Sequence, residues 1–114
     1  MTGETDLMTG LYAHFNARDI EAVLAMLHPE VMWANGMEGG HVRGRAGVRE
    51  YWTRQWATID PHVEPQAVSI DLEGAVNVDV RQVVRDLGGG VLSDRRLVHV
   101  FRIEDGLIRR FDIR

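Results

Sequence analysis

Cysteine is missing from this 114-residue chain, so no disulfide, thiolate nucleophile or zinc–thiolate site can form. Lysine is missing as well. All 13 basic residues are arginine, which removes Schiff-base chemistry. Serine occurs only at Ser69 and Ser93, and neither stands in a G-x-S-x-G elbow. No Rossmann or P-loop glycine spacing occurs; Gly88-Gly89-Gly90 lies between two strand-like runs and reads as a hairpin turn. No apolar run approaches the ~20 residues of a membrane span. The opening MTGETDLMTG is acidic and lacks the apolar stretch of a secretory signal, which reads as a cytoplasmic protein. A net charge of −4 argues against nucleic acid or an anionic membrane as partner. The arginine pairs Arg95–Arg96 and Arg109–Arg110 read as solvated or cross-strand-paired side chains. Histidine, aspartate, glutamate, tyrosine and asparagine remain, a set suited to proton transfer.

What is present has two textures. A chain of this length makes one domain, residues 1–114, burying roughly 65% of its unfolded surface. The first half is helical in period. Leu7, Met8, Leu11 and Phe15 form one stripe of a helix from about Thr5 to Ala17. Asp19 caps a second helix carrying Ile20, Val23, Leu24 and Leu27, which Pro29 is expected to stop. Val31 to Asn35 reads as a strand, with Val31, Trp33 and Asn35 on one face, and Gly36 to Gly40 as a flexible loop. A third helix, about Arg45 to Thr58, aligns Val48, Trp52 and Trp56.

The second half alternates. Pro61 and Pro65 are expected to bracket a linker. Three strand-like runs follow, centred on Ile70, Val80 and His99, and Leu107 to Ile113 makes the last strand after a tight Asp105-Gly106 turn. Helices first and antiparallel strands after is an α+β arrangement.

The segments NARD-IEAVLAMLHPEV, VRGRAGVREYW and HVFRIEDGLIRRFD, in this order and spacing, resemble the nuclear transport factor 2-like superfamily, in particular its SnoaL-like and ketosteroid-isomerase-like branches. The resemblance spans nearly the whole chain. It implies three N-terminal helices packed in the concave face of a curved, mainly antiparallel sheet, a cone around one small-molecule pocket. It also implies a homodimer through the sheet, and neither metal nor organic cofactor.

Ketosteroid isomerases use an aspartate base and an oxyanion hole of a tyrosine and a protonated aspartate. Carried over by local anchors, the base falls on Asn35, the tyrosine on Leu11, with Tyr12 one residue off and facing elsewhere, and the oxyanion acid on His99. The chain departs from the pattern at all three places. Val78-Asp79-Val80 resembles the aspartate strand of limonene-epoxide-hydrolase-like members, but Asn77 stands where those enzymes carry an arginine, and their second aspartate falls nearest Asp112 or Ile113.

His99 is the leading catalytic candidate. It lies mid-strand on the face of Leu97, Phe101 and Ile103, and imidazole titrates near neutrality. Its other reading is a satisfied core histidine. Asp79 is the second candidate, and the hairpin register decides its part. With the turn centred on Gly89 it lies opposite His99; slipped by one, Val80 faces His99 and Asp79 points away, which is the favoured register because it makes the cleaner apolar face. Asn35 is read either as a donor to a substrate carbonyl or as a turn former before Gly36. Trp33, Asn35, Trp52, Trp56, Phe101 and Phe111, with Phe15, are the expected lining for a small apolar or aromatic ligand. His14, His28, His41 and His62 show no metal-ligand spacing, and His41 is expected in a mobile loop over the pocket mouth. Two functions remain open: acid–base catalysis on an apolar carbonyl compound (isomerisation, cyclisation or dehydration), or a non-catalytic ligand-binding or interaction domain.

Overall fold

A computed structural model describes residues 3–114, with side chains from Thr5 onward. The element order is α1 (Gly3–Asn16), α2 (Ile20–Ala25), β1 (Leu27–Ala34), β2 (His41–Arg43), α3 (Gly44–Trp56), β3 (Ile59–Ile70), β4 (Val76–Asp86), β5 (Val91–Glu104) and β6 (Leu107–Ile113). The six strands form one sheet in the order β2-β1-β6-β5-β4-β3. β1 and β6 pair parallel and every other neighbouring pair is antiparallel. The helices pack in the concave face of this curved, unclosed sheet, the α+β arrangement expected.

Local chemistry sets the helix boundaries. α1 buries Met8, Leu11 and Tyr12. It ends because Arg18 adopts a left-handed conformation (φ 63), which turns the chain back so that the Asp19 amide donates to the His14 carbonyl at 2.9 Å. Asp19 then caps α2 through the Ala22 amide. The end of α1 is clamped to β3 by Asn16, whose amide nitrogen donates to the Val63 carbonyl at 2.8 Å and whose oxygen accepts from the Val63 amide at 3.0 Å. β3 is an edge strand, so these backbone groups have no neighbouring strand on that side. Asn16 supplies what a further strand would.

Four expectations need correction. Leu27 does not extend α2. The helix stops at Ala25, and Leu27 opens β1, with Pro29 inside that strand rather than at the helix end. The Leu27 carbonyl falls at a register shift between β1 and β6, and Arg45 satisfies it through Nε and Nη2 at 2.8 and 2.6 Å. Pro61 and Pro65 do not bracket a linker; β3 runs through both. An edge strand tolerates proline because its outward amides need no ladder partner, and the β3–β4 pairing shifts register between Pro65 and Ala67. Residues Gly36 to Gly40 are not a loose loop, as the site geometry below shows. The β4–β5 register is neither of the two weighed. Val78 lies opposite His99 and Asp79 opposite Val98, because a bulge at Val84/Arg85 absorbs one residue beside the Asp86–Gly90 turn. The face of Asp79 is nonetheless the one favoured: its side chain is exposed, away from His99.

The core is continuous from the helices to the sheet. Val76, Val78, Val80, Phe101 and Ile108 on the strands and Met8, Val48 and Trp52 on the helices are each at most 1% exposed. Trp52 is the largest of these side chains, and its truncation to alanine would cost about 3–5 kcal/mol.

Candidate ligand-binding site

The concave face does not fill completely. A cavity of about 760 Å³ remains between α1, α3 and the sheet. This is the size of a pocket that takes a drug-sized molecule. Its buried end is aromatic. Trp33 stacks on Phe111 with ring centres 4.2 Å apart and meets Trp52 edge-on at 5.2 Å, and Phe101 lies 5.1 Å from Phe111. Strand alternation brings Trp33 from β1, Asn35 just past its end, and His99, Phe101 and Phe111 from β5 and β6 to the same wall, as the sequence pattern requires. Trp56 is the exception among the expected lining residues. It stands behind Trp52, stacked on it at 5.7 Å and covered by the Arg18 guanidinium at 5.0 Å, and does not reach the cavity.

His99 is 5% exposed, and its Nδ1 lies 2.8 Å from the Tyr12 hydroxyl. Burial sets both groups' protonation. It lowers the His99 pKa from 6.5 to about 4 and pushes the Tyr12 phenol far above its ordinary value. Both are neutral at pH 7. A phenol is the better donor of the pair and an imidazole nitrogen the better acceptor, so we assign the shared proton to Tyr12 and the N–H to Nε2. That Nε2 is buried and has no hydrogen-bond partner among the described residues. An unpaired buried polar atom costs roughly 1–3 kcal/mol.

Tyr12 is the residue that the sequence reading placed wrongly. Leu11, the position anchored for a tyrosine, is a buried apolar side chain on the cavity wall, and Tyr12 beside it also faces the cavity and carries the polar contact to His99. The signal was available: Met8 and Tyr12 are four residues apart and share a helical face.

Asn35 resolves toward its turn-forming reading. Its side-chain oxygen accepts from the Met37 and Glu38 amides at 3.0 and 2.9 Å, its amide nitrogen donates to Glu38 at 3.0 Å, and its backbone bonds Gly39 and Gly40. The loop is therefore knotted by Asn35. Tyr51, not anticipated from the sequence, anchors it from α3 by accepting from the Gly36 amide at 3.0 Å and from Gln55 at 3.2 Å. His41 is not in this loop. It opens β2 opposite Ala34 and pairs with Asp112 at 2.7 Å, which Arg110 also holds at 2.8 Å. Arg110 above all, then His41, keeps the Asp112 carboxyl below the usual carboxylate range. Asp79 does not line the cavity. Among the described residues one trio of potential metal ligands lies together, His28, Glu104 and Asp105, with ligand atoms within 4.8 Å, and none of them lines the cavity.

Helices seated in a curved, unclosed mixed sheet, with one cavity between, make this a nuclear transport factor 2-like protein. The chain belongs to the SnoaL-like domain family, whose profile matches residues 8–111. A search of curated protein sequences gave no significant match. Among solved structures it is similar to TerC co-crystallised with polyporic acid, at 26% identity over 99% of this chain and 91% of that one, with a TM-score of 0.86. A nuclear transport factor 2-like protein of unknown function from Burkholderia pseudomallei also aligns at 26% identity, over 100% and 91% of the two chains, with a TM-score of 0.87. A Mycobacterium tuberculosis protein in complex with estradiol-17β-hemisuccinate shares the fold at 17% identity, over 97% and 92%, with a TM-score of 0.82.

Proposed function

We propose that the protein binds a small, largely apolar carbonyl compound in this cavity and that His99, held by Tyr12, exchanges a proton with it. The observation that carries the reading is the buried Tyr12–His99 hydrogen bond with its unpaired Nε2 in an aromatic cavity wall. With Tyr12 donating to Nδ1, Nε2–H is a donor for a ligand oxygen. In a site of low dielectric such a donor stabilises the charge that builds on an enolising carbonyl. With the hydrogen bond reversed, Nδ1–H donates to the phenol and Nε2 is a base. The two states are alternatives: in the second, Nε2 takes the α-proton from carbon to give an imidazolium beside the enolate, and the same nitrogen returns that proton to the carbon where the double bond ends. A base of pKa about 4 matches the modestly raised aspartate that ketosteroid isomerase uses. That one neighbour of this fold is co-crystallised with polyporic acid and another is in complex with estradiol-17β-hemisuccinate supports a small-molecule ligand.

The test is α-hydrogen exchange of an enolisable cyclic ketone in deuterated buffer, followed by NMR. His99→Gln is expected to keep the fold and the binding, read from Trp33 and Trp52 fluorescence, while exchange falls about 10²–10⁴-fold. Tyr12→Phe is expected to weaken exchange as well, since the ring loses the partner that sets its tautomer. A His99→Gln protein with full exchange activity overturns the catalytic reading.

A second reading, ligand binding without catalysis, is favoured by one specific fact. Among the described residues the lining contributes one side-chain carboxylate, Asp112, already engaged by Arg110 and His41. Binding of the same ketone with no exchange above buffer would establish it.

A further inference from the structure

The concave face changes character along β4 and β5. Inward positions run Val78, Val80, Gln82 on β4 and His99, Leu97, Arg95 on β5, with Gln82 directly opposite Arg95. The wall is therefore apolar around His99 and polar at the open rim, where Gln82, Ser93 and Arg95 all line the cavity.

The charges of the lining do not cancel at that rim. Asp112 is taken by Arg110 and His41. The Arg114 guanidinium donates to Asn77 at 3.0 Å. Arg95 makes no ion pair and no hydrogen bond among the described residues, although Asp94 beside it in sequence is held by Arg81 on the outer face through two bonds of 3.0 and 2.6 Å. In a chain of net charge −4, two lining guanidiniums, Arg95 and Arg114, carry no ion pair among the described residues, and of these Arg95 alone has no hydrogen bond either. A guanidinium presents a planar fork of donors that matches a carboxylate.

We propose that the natural ligand is amphipathic: an apolar ring system in the aromatic end, and a carboxylate or equally acidic oxygen held at the rim by Arg95. This rests on the cavity reading above and adds the ligand's class. The strand supplies a ruler. Arg95 and His99 are four residues apart on β5, a separation of about 13 Å between their Cα atoms. A ligand of two or three linked rings spans it, with one polar oxygen at His99 Nε2 and its anionic group at Arg95.

The experiment compares 4′-hydroxybiphenyl-4-carboxylic acid with its methyl ester, titrated against quenching of tryptophan fluorescence in the whole protein. The acid is expected to bind the wild type more tightly than the ester. Arg95→Gln should weaken the acid about tenfold and leave the ester within a factor of two, since a charged hydrogen bond is removed and no packing is. Arg95→Lys should restore part of the preference, and raising salt should erode it in the wild type but not in the Gln variant. Equal weakening of acid and ester, or none, overturns the anionic ligand while leaving the cavity reading intact. Failure of both probes to bind the wild type overturns the cavity reading and the proposal with it. Should Arg95→Gln lower the melting temperature, the acid-to-ester ratio of Arg95→Lys against wild type decides, because a lysine keeps charge and bulk.

Discussion

Acid should destabilise this protein through His99, and the amount follows from its burial. The ring is neutral in the folded chain because burial lowers its pKa from 6.5 to about 4. Between those values the unfolded chain takes up a proton that the folded one refuses, so stability rises with pH across this window. Its contribution is complete above about pH 6.5 and is lost as pH falls toward 4. By pH 4.5 the loss amounts to about 2.5 kcal/mol, against a limit of roughly 3.4 kcal/mol at lower pH. Carboxylates held low, such as Asp112 and Asp94, also withdraw stability in acid, so a single curve cannot isolate His99. The His99→Gln variant can. Its side chain does not titrate, yet its amide oxygen can still accept from Tyr12, and the carboxylate contributions cancel in the comparison. Urea unfolding of both proteins at pH 7.5 and 4.5, followed by tryptophan fluorescence, gives the difference directly. The stability gap between wild type and variant should shift by about 2.5 kcal/mol in the variant's favour at the lower pH. Parallel curves, or a His99 ring that titrates near pH 6.5 by NMR, would refute the lowered pKa and the burial that causes it.

Three other outcomes are expected. Tyr51→Phe removes the acceptor of the Gly36 amide, so hydrogen exchange at Gly36 should accelerate and stability fall by roughly 1 kcal/mol. Asp79→Asn should change stability by less than about 0.5 kcal/mol and leave ligand binding unaltered, since the carboxylate is exposed on the outer face. Val98 and Val100 are half-buried among arginines on the outer sheet face, a surface suited to a second copy, and light scattering at tens of micromolar protein should give twice the 12.9 kDa chain mass; a monomer mass sinks that idea.

The order of elements was legible because each segment carries its own period. Val31, Trp33 and Asn35 share a face in the sequence and in the structure, and Leu107 to Ile113 is the last strand in both. What was not legible depends on neighbours. Whether Pro61 and Pro65 interrupt a strand is decided by β3 being an edge, a property of the sheet and not of the segment. The β4–β5 register turns on a one-residue bulge at Val84/Arg85, which leaves no mark on the alternation because both flanking runs keep period two. Tyr12 was missed for a different reason. An apolar stripe broad enough to take Met8, Leu11 and Phe15 also takes position 12, so a single-line stripe excludes a residue that the helix includes.

The same geometry accounts for the departure from the isomerase pattern at Asn35. A carboxylate there would be buried and would have Glu38 beside it as a like charge. Asparagine avoids both costs, and its two polar atoms close the loop against Glu38, Met37 and the Gly36 turn. On the catalytic reading proposed above, the proton-active group then comes from elsewhere on the same wall and is neutral at rest in its aromatic surroundings. A histidine bonded to a tyrosine meets that condition, because both partners are uncharged and their polar atoms satisfy each other at 2.8 Å. The atom left over is Nε2, on the side of the ring away from Tyr12.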